Sequence, residues 1–277
     1  MIKLLPLSLN KQKFLRKLQQ KKYRQQFGMY LCEGFNLFES AIQSKNSDIL
    51  DIVLSDNLLK VKKADFILTE SKRFNIPLYT CDDNTMGKIS DTVSPPGILF
   101  TIKSRLHGED DLTSCHDDTI LYFEKITDPG NLGTILRTAL WFGIKSIFLS
   151  PECVDPLNLK TVRASSGSIF NIDLYYPIAA SKVFQVFKNQ GYHFIATAPE
   201  DGIKPEQWKV LKNNILFFGS EAAGLSPSIL KTVNTILTVP RLGRIESLNL
   251  AIATGIILYE WSKLKNLNAE HQKRNVL

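Results

Sequence analysis

Three stretches of this chain carry chemically capable side chains on short turns that contain glycine. The first is Asp128-Pro129-Gly130-Asn131-Leu132-Gly133-Thr134. Pro-Gly makes a turn, and Asn131 is a good helix cap with Thr134 three residues on. Arg137 follows on the same helix, off its apolar stripe, so its guanidinium is free to face a loop. No Gly-Lys-Ser/Thr follows, which excludes a Walker-type phosphate loop. The second stretch, Gly219-Ser220-Glu221-Ala222-Ala223-Gly224-Leu225, brackets a carboxylate with glycines. Glycine lets a backbone approach a ligand closely and present its N–H groups. The third is Val239-Pro240-Arg241-Leu242-Gly243-Arg244-Ile245-Glu246-Ser247-Leu248-Asn249. Its two arginines suit phosphate contact, and Ser247 can cap the helix that follows. Taken alone, each stretch also fits an ordinary turn with solvated charges.

Metal and thiol chemistry find little support. Cys32, Cys81, Cys115 and Cys153 lie far apart with no C-x-x-C, and the four histidines form no H-E-x-x-H. No metal site or disulfide framework is expected, and a reducing cytoplasm is the default compartment.

The turns need a scaffold, and the pattern supplies one. Thr119–Phe123, Ser146–Leu149, Phe194–Ala198, Ile215–Phe218 and Thr235–Val239 are short apolar runs of the kind found in buried parallel strands. The segments between them read as helices; Leu132, Ile135, Leu136, Ala139 and Leu140 form one apolar stripe. All three turns follow such strands, at the sheet edge where α/β proteins bind ligands. A last helix from about Ser247 to Leu264 is apolar almost all round, which predicts burial in the core or against a second subunit. The first half alternates strands and helices as well: a helix in 8–26, strands near Met29–Cys32, Ile49–Leu54, Pro77–Thr80 and Gly97–Ile102, and helices from Gly34, over Ala64–Phe74 and over Asp83–Ile89. Between the halves, 106–118 is polar and acidic and reads as a linker. The expected organisation is α/β throughout, with a domain in 1–105, a linker, and a parallel α/β domain in 119–277.

Charge separates the halves further. Lys and Arg number 34 and Asp and Glu 27, a net +7. Lys3, Lys11, Lys13, Arg16, Lys17, Lys21, Lys22 and Arg24 fall within residues 1–30, which hold no acidic residue. Phe14, Tyr23, Phe27 and Tyr30 interleave with these cations, a pattern suited to phosphate contact and base stacking, although Phe14 and Phe27 also read as core. Apolar residues at 44% and charged residues at 22% describe an ordinary globular chain. No apolar run reaches the ~18–20 residues needed to span a bilayer, and no signal peptide is read.

In this order and on this pattern, the three turns resemble the SpoU/TrmH branch of the SPOUT methyltransferases. Asn131-x-Gly133-x-x-x-Arg137, Gly219-x-Glu221-x-x-Gly224-Leu225, and Pro240-x-x-Gly243 followed by Ser247-Leu248-Asn249 carry the likeness over about residues 119–262. Arg163-Ala164-Ser165-Ser166-Gly167-Ser168 looks like the family's Ser-x-Gly element. The Lys21-Lys22-Tyr23-Arg24…Glu33-Gly34 segment resembles, more weakly, the family's RNA-binding domain. The resemblance implies a parallel sheet with a deep trefoil knot, a homodimer, S-adenosylmethionine as cofactor, and methylation of a ribose 2′-hydroxyl of RNA. Ribosomal RNA is favoured; transfer RNA, or a non-catalytic assembly factor on the same scaffold, are the alternatives. The implied reaction centre is Asn131, Arg137, Glu221, Ser247 and Asn249. The implied cofactor wall is Gly219, Gly224, Val239, Leu248 and Ala198. RNA contacts fall to Lys21, Lys22, Arg24, Arg163 and Arg244. A guanidinium is a poor base, so Arg137 is read as a stabiliser of the developing alkoxide. The sequence departs from the family at Arg241, where a Met or another apolar residue is usual.

Overall fold

The computed structural model describes the backbone of residues 4–274 and the side chains of residues 4–266. The chain divides into two compact units, Met1–Ser104 with Asp155–Asn171, and Arg105–Val154 with Ile172–Leu277.

The first unit is built from β1 (Leu4–Pro6), α1 (Leu9–Lys17), α2 (Lys21–Phe27), β2 (Met29–Glu33), α3 (Phe35–Gln43), β3 (Ile49–Ser55), α4 (Lys63–Arg73), β4 (Leu78–Cys81), α5 (Asp83–Ile89) and β5 (Ile98–Lys103). Its sheet runs β1-β4-β3-β5-β2, with β4 parallel to its neighbours and β5 antiparallel to its own. Leu15, Leu18, Leu31, Val53, Met86, Ile89 and Leu99 form a buried core on one side. Ser8 caps α1 by accepting from Lys11 N, and Asp82 caps α5 by accepting from Thr85 N. The second of these bonds holds the Asp82 carboxyl below its usual range.

The basic segment is two helices rather than one, and Arg24 shows why. Its Nη1 donates to Leu18 O (2.9 Å) and Gln19 O (2.7 Å), taking the carbonyls at the end of α1 out of any continuing helix. Its Nε and Nη2 donate to Asp155 Oδ2 at 3.0 and 2.5 Å. Only 5% of Arg24 is exposed. The expectation that Arg24 contacts RNA is therefore corrected: its fork is consumed by the fold. Lys21 and Lys22 stay exposed. Tyr30 is buried in β2, whereas Phe27, read as core, is exposed and stacks with Tyr23.

The second unit contains β6 (Thr119–Phe123), α6 (Pro129–Trp141), β7 (Ser146–Leu149), β8 (Asp173–Tyr175), α8 (Ala180–Phe187), β9 (His193–Thr197), β10 (Asn214–Phe218), α9 (Pro227–Leu230), β11 (Thr235–Leu237) and α10 (Leu250–Arg274). The remaining short helix in chain order, α7 (Leu159–Ala164), lies in the excursion 155–171 that packs in the first unit, where Leu159 enters the core. The sheet of the second unit is parallel throughout, in the order β11-β9-β10-β6-β7-β8. Phe123 pairs with both Phe218 and Leu149, so β6, β10 and β7 end level. Ile120, Tyr122, Phe148, Phe187, Phe194 and Phe217 fill one face.

One further expectation changes. The acidic stretch 106–118 is not a free linker but part of the second unit. It carries a 3-10 helix, Glu109–Ser114, whose Leu112 enters the core, and His107 stacks on Tyr175 at 4.6 Å. Within the chain α10 buries one face and leaves another open: Leu250, Ile257, Leu258 and Trp261 are buried, while Ile252, Ile256 and Tyr259 are 55%, 36% and 55% exposed. No helix among the described residues is long and apolar enough to cross a membrane.

Removing one member of a buried ion pair strands the other, at a cost of about 3–5 kcal/mol. Arg24→Met is expected to lose that much stability in urea denaturation, and Asp155→Asn in the same background to cost little more.

Candidate active site

Four loops open at the carboxyl edge of the parallel sheet of the second unit, after β6, β9, β10 and β11. The loop after β6 leads into α6. Its helix is capped by Asp128, whose Oδ1 accepts from Asn131 N at 2.7 Å, with Pro129 in the first turn. Asn131, the expected cap, is thereby released. Its Nδ2 donates to Glu221 Oε1 at 2.8 Å.

Glu221 stands in a turn closed from both ends: Ser220 N donates to Gly224 O and Gly224 N to Ser220 O. Gly224 adopts φ +64°, a conformation that favours glycine, and Gly219 lies so close to Gly224 that a Cβ there would come within 2.1 Å of its carbonyl carbon. The carboxylate at this turn is a hub. Besides Asn131, its Oε1 accepts from Asn249 Nδ2 (3.0 Å) and Leu250 N (3.0 Å), and Asn249 Nδ2 also donates to Asn131 Oδ1 (3.0 Å). Oε2 receives no hydrogen bond from the described residues. Asn249, not Ser247, caps α10, its Oδ1 accepting from Ala251 N (3.0 Å) and Ile252 N (3.3 Å). So one residue from each of three loops meets at one oxygen.

Beside the hub lies a cavity of about 600 Å³. Its wall includes Ala198, Gly219, Gly224, Val239 and Leu248, all five residues expected to hold a cofactor, together with Glu221 and Ser247. Leu225, Leu237 and Ile257 make its floor apolar. This is the mixture of apolar surface and convergent polar groups that small-molecule sites present. Arg137 is not drawn into this wall; it is exposed on α6 and has no hydrogen-bond or ion-pair partner among the described residues. Arg244 is exposed on the third loop.

The Ser-x-Gly element lies in the first unit. Gly167, at φ +90°, abuts Ser40, where a Cβ would sit 2.4 Å from the hydroxyl. Arg163 Nη2 donates to Asp91 Oδ2 at 3.1 Å, which ties this expected RNA contact to a carboxylate. Three acidic residues escaped sequence reasoning. Glu124, buried at the end of β6, accepts from Ser226 N at 2.7 Å and fixes the second loop to the first. Its signal was a carboxylate closing an apolar strand. Glu246 lines the cavity and Glu200 meets Arg241, and neither had a distinguishing pattern. Among the described residues, no group of three or more His, Cys, Asp or Glu could hold a metal ion.

A parallel α/β sheet with a cavity walled by glycine turns at its carboxyl edge defines a nucleotide- or cofactor-binding protein of the α/β class. Comparison with known proteins narrows the class. Residues 118–259 match the SpoU rRNA Methylase family and residues 10–99 the MRM3-like substrate binding domain. The chain belongs to the SpoU rRNA methylase family. A relative in Synechocystis named as an uncharacterized tRNA/rRNA methyltransferase is 33% identical over 90% of this chain and 89% of its own. The 23S rRNA (guanosine(2553)-2'-O)-methyltransferase RlmP of Bacillus subtilis is 28% identical, covering 88% of this chain and 92% of its own. An rRNA methyltransferase from Sinorhizobium meliloti, solved with AdoMet bound, superposes with a TM-score of 0.81 at 28% identity, over 94% of this chain and 97% of that one.

The close approach at Gly219 yields a test. Gly219→Ala is expected to force the 219–224 turn apart and lower stability by about 1–3 kcal/mol in thermal denaturation. Gly243→Ala, where an added Cβ meets nothing within 4 Å, is expected to melt with the native protein.

Proposed function

We propose that this protein transfers a methyl group from S-adenosylmethionine to a ribose 2′-hydroxyl of RNA, with ribosomal RNA as substrate. The observation that carries the reading is the meeting of Asn131, Glu221 and Asn249 from three loops, at the rim of a cavity with an apolar floor. Leu225, Leu237, Val239 and Ile257 suit an adenine and its neighbouring methylenes, and the backbone edges of Gly219 and Leu248 suit its polar rim. The free Oε2 of Glu221 suits a cationic sulfonium. When bound, the cofactor supplies an electrophilic methyl group on positive sulfur.

The chain's own work is alignment and charge. Asn131 and Asn249 fix the Glu221 carboxylate in one orientation, and Ser247 offers a hydroxyl on the same wall. Arg137 has no competing partner among the described residues. It orients the RNA phosphate and stabilises negative charge growing on the 2′-oxygen. Lys21, Lys22 and Arg244, all exposed, contribute phosphate contacts, with Tyr23 and Phe27 as a stacking surface in the first unit. The relative named as a 23S rRNA 2'-O-methyltransferase, which aligns along most of the chain, supports the ribosomal substrate. A ribosomal substrate implies work in the cytoplasm.

A homodimer through the second unit belongs to the same proposal. Trp141 on α6 is 84% exposed, and Ile252, Ile256 and Tyr259 form an open apolar row on α10, the helix packed on α6 through Gly255 and Thr138. Large apolar faces of this kind mark association surfaces. A trefoil knot is proposed with it, as the family resemblance implies.

Mapping ribose methylation by mass spectrometry in cells with and without the protein is the direct test. Loss of a 2′-O-methyl mark from ribosomal RNA is the expected result. Loss from transfer RNA alone would redirect the substrate, and no loss in either would sink the reading. Complementation with Arg137→Ala is expected to lower kcat about 100-fold. For the dimer, Ile256→Asp is expected to weaken association about 100-fold or more in sedimentation.

A further inference from the structure

The third loop keeps a charged residue where the family resemblance leads to an apolar one. Arg241 lines the cavity and is the one cation that does so among the described residues. Its Nη2 donates to Glu200 Oε1 at 2.7 Å, and its Nη1 donates to Ile245 O at 3.3 Å. Glu200 follows Pro199, which also lines the cavity. The loop carrying Glu200 is laced to β11: Gly202 N donates to Thr238 Oγ1, Ile203 N to Ile236 O and Thr238 N to Ile203 O. The brace on Arg241 is therefore itself anchored. The ion pair is about half exposed on both sides, so it adds little to stability. What the pair does is orient. Of the five N–H groups on the guanidinium, Glu200 and Ile245 occupy two, and the other three are unpaired among the described residues.

Charge inventory says what those donors await. The charged side chains on the cavity wall are Glu221, Glu246 and Arg241, two negative and one positive. S-adenosylmethionine at neutral pH carries the complement: a sulfonium and an α-ammonium, both positive, and one α-carboxylate. Glu221 is held at the hub by Asn131 and Asn249, which assigns it to the reacting end. The single cation on the wall is left for the single anion of the ligand. We propose that Arg241, braced by Glu200, binds the α-carboxylate of the methyl donor and so sets the affinity for its amino-acid end. This rests on the cofactor reading above and adds a residue to it. A planar fork with free donors is the group best matched to a carboxylate.

Two ligands separate this role from a merely structural one. S-adenosylhomocysteine keeps the amino-acid tail, and 5′-methylthioadenosine lacks it. In titration calorimetry, Arg241→Gln is expected to weaken S-adenosylhomocysteine about 10-fold or more, the scale of a charge-assisted bond, and to leave 5′-methylthioadenosine within about 2-fold. Retained binding of the tail-less ligand also reports that the variant is folded. An equal loss for both ligands would overturn the proposal, since Arg241 would then only shape the loop. Equal retention of both would overturn it too, because no contact would exist. If the native protein bound neither ligand, the cofactor reading itself would fall, and this inference with it.

Discussion

One carboxylate oxygen organises the candidate site. Glu221 Oε1 accepts from Asn131, Asn249 and the backbone of Leu250, groups that are 90, 28 and 29 residues away in sequence. Hydrogen bonds to a charged acceptor are worth roughly twice neutral ones, and here three of them converge without being buried. Their product is position more than stability. Two amides, one carboxylate and the start of α10 come to occupy fixed relative places before any ligand arrives, and such preorganisation is what makes electrostatic catalysis effective. Because the hub is open to solvent, a substrate can reach it.

The hub depends in turn on the parallel sheet. Loops can converge only if their strands end together, and the register brings β6 and β10 to a common edge, with Phe123 opposite Phe218. Glu124, the next residue along β6, reaches across to Ser226 N and holds the second loop to the first. The apolar strands thus do more than fill a core. Their common direction and level ends determine that residues 131, 221 and 249 can touch.

Much of this was legible before any coordinates, and the exceptions have physical causes. Runs such as Thr119–Phe123 and Ser146–Leu149 announce themselves because a strand covered on both faces is apolar without alternation. β1 and β8 are three residues each, too short to show a period. The family resemblance grouped Asn131, Glu221 and Asn249, while residue types alone misassigned the caps. Asp128 and Asn131 are both good capping residues three positions apart, and only tertiary demand from Glu221 decides which side chain turns away from the helix. Arg24 looked like one more cation in a basic run. A sequence gives no sign that Asp155, 131 residues on, returns to meet it. The same blindness hid the excursion 155–171, because pattern reading assigns a segment to the domain its neighbours occupy.

The exposed row on α10 follows from this economy of side chains. One face of the helix is committed to the core through Leu250, Ile257, Leu258 and Trp261, and its capping end is committed to the hub through Asn249. A helix that already serves both could present a polar third face at little structural cost, since that face is exposed among the described residues. It presents Ile252, Ile256 and Tyr259 instead, and α6, which it meets at Gly255 and Thr138, carries an exposed Trp141. Scattered apolar residues on a surface need no explanation, but a row at helical spacing is what the proposed dimer would cover. In that proposed dimer, the helix whose first turn joins the Glu221 hub is also the helix that a second copy would grip. Association would stiffen the element on which Asn249 stands, and the assembly state and the order of the site become a single physical question.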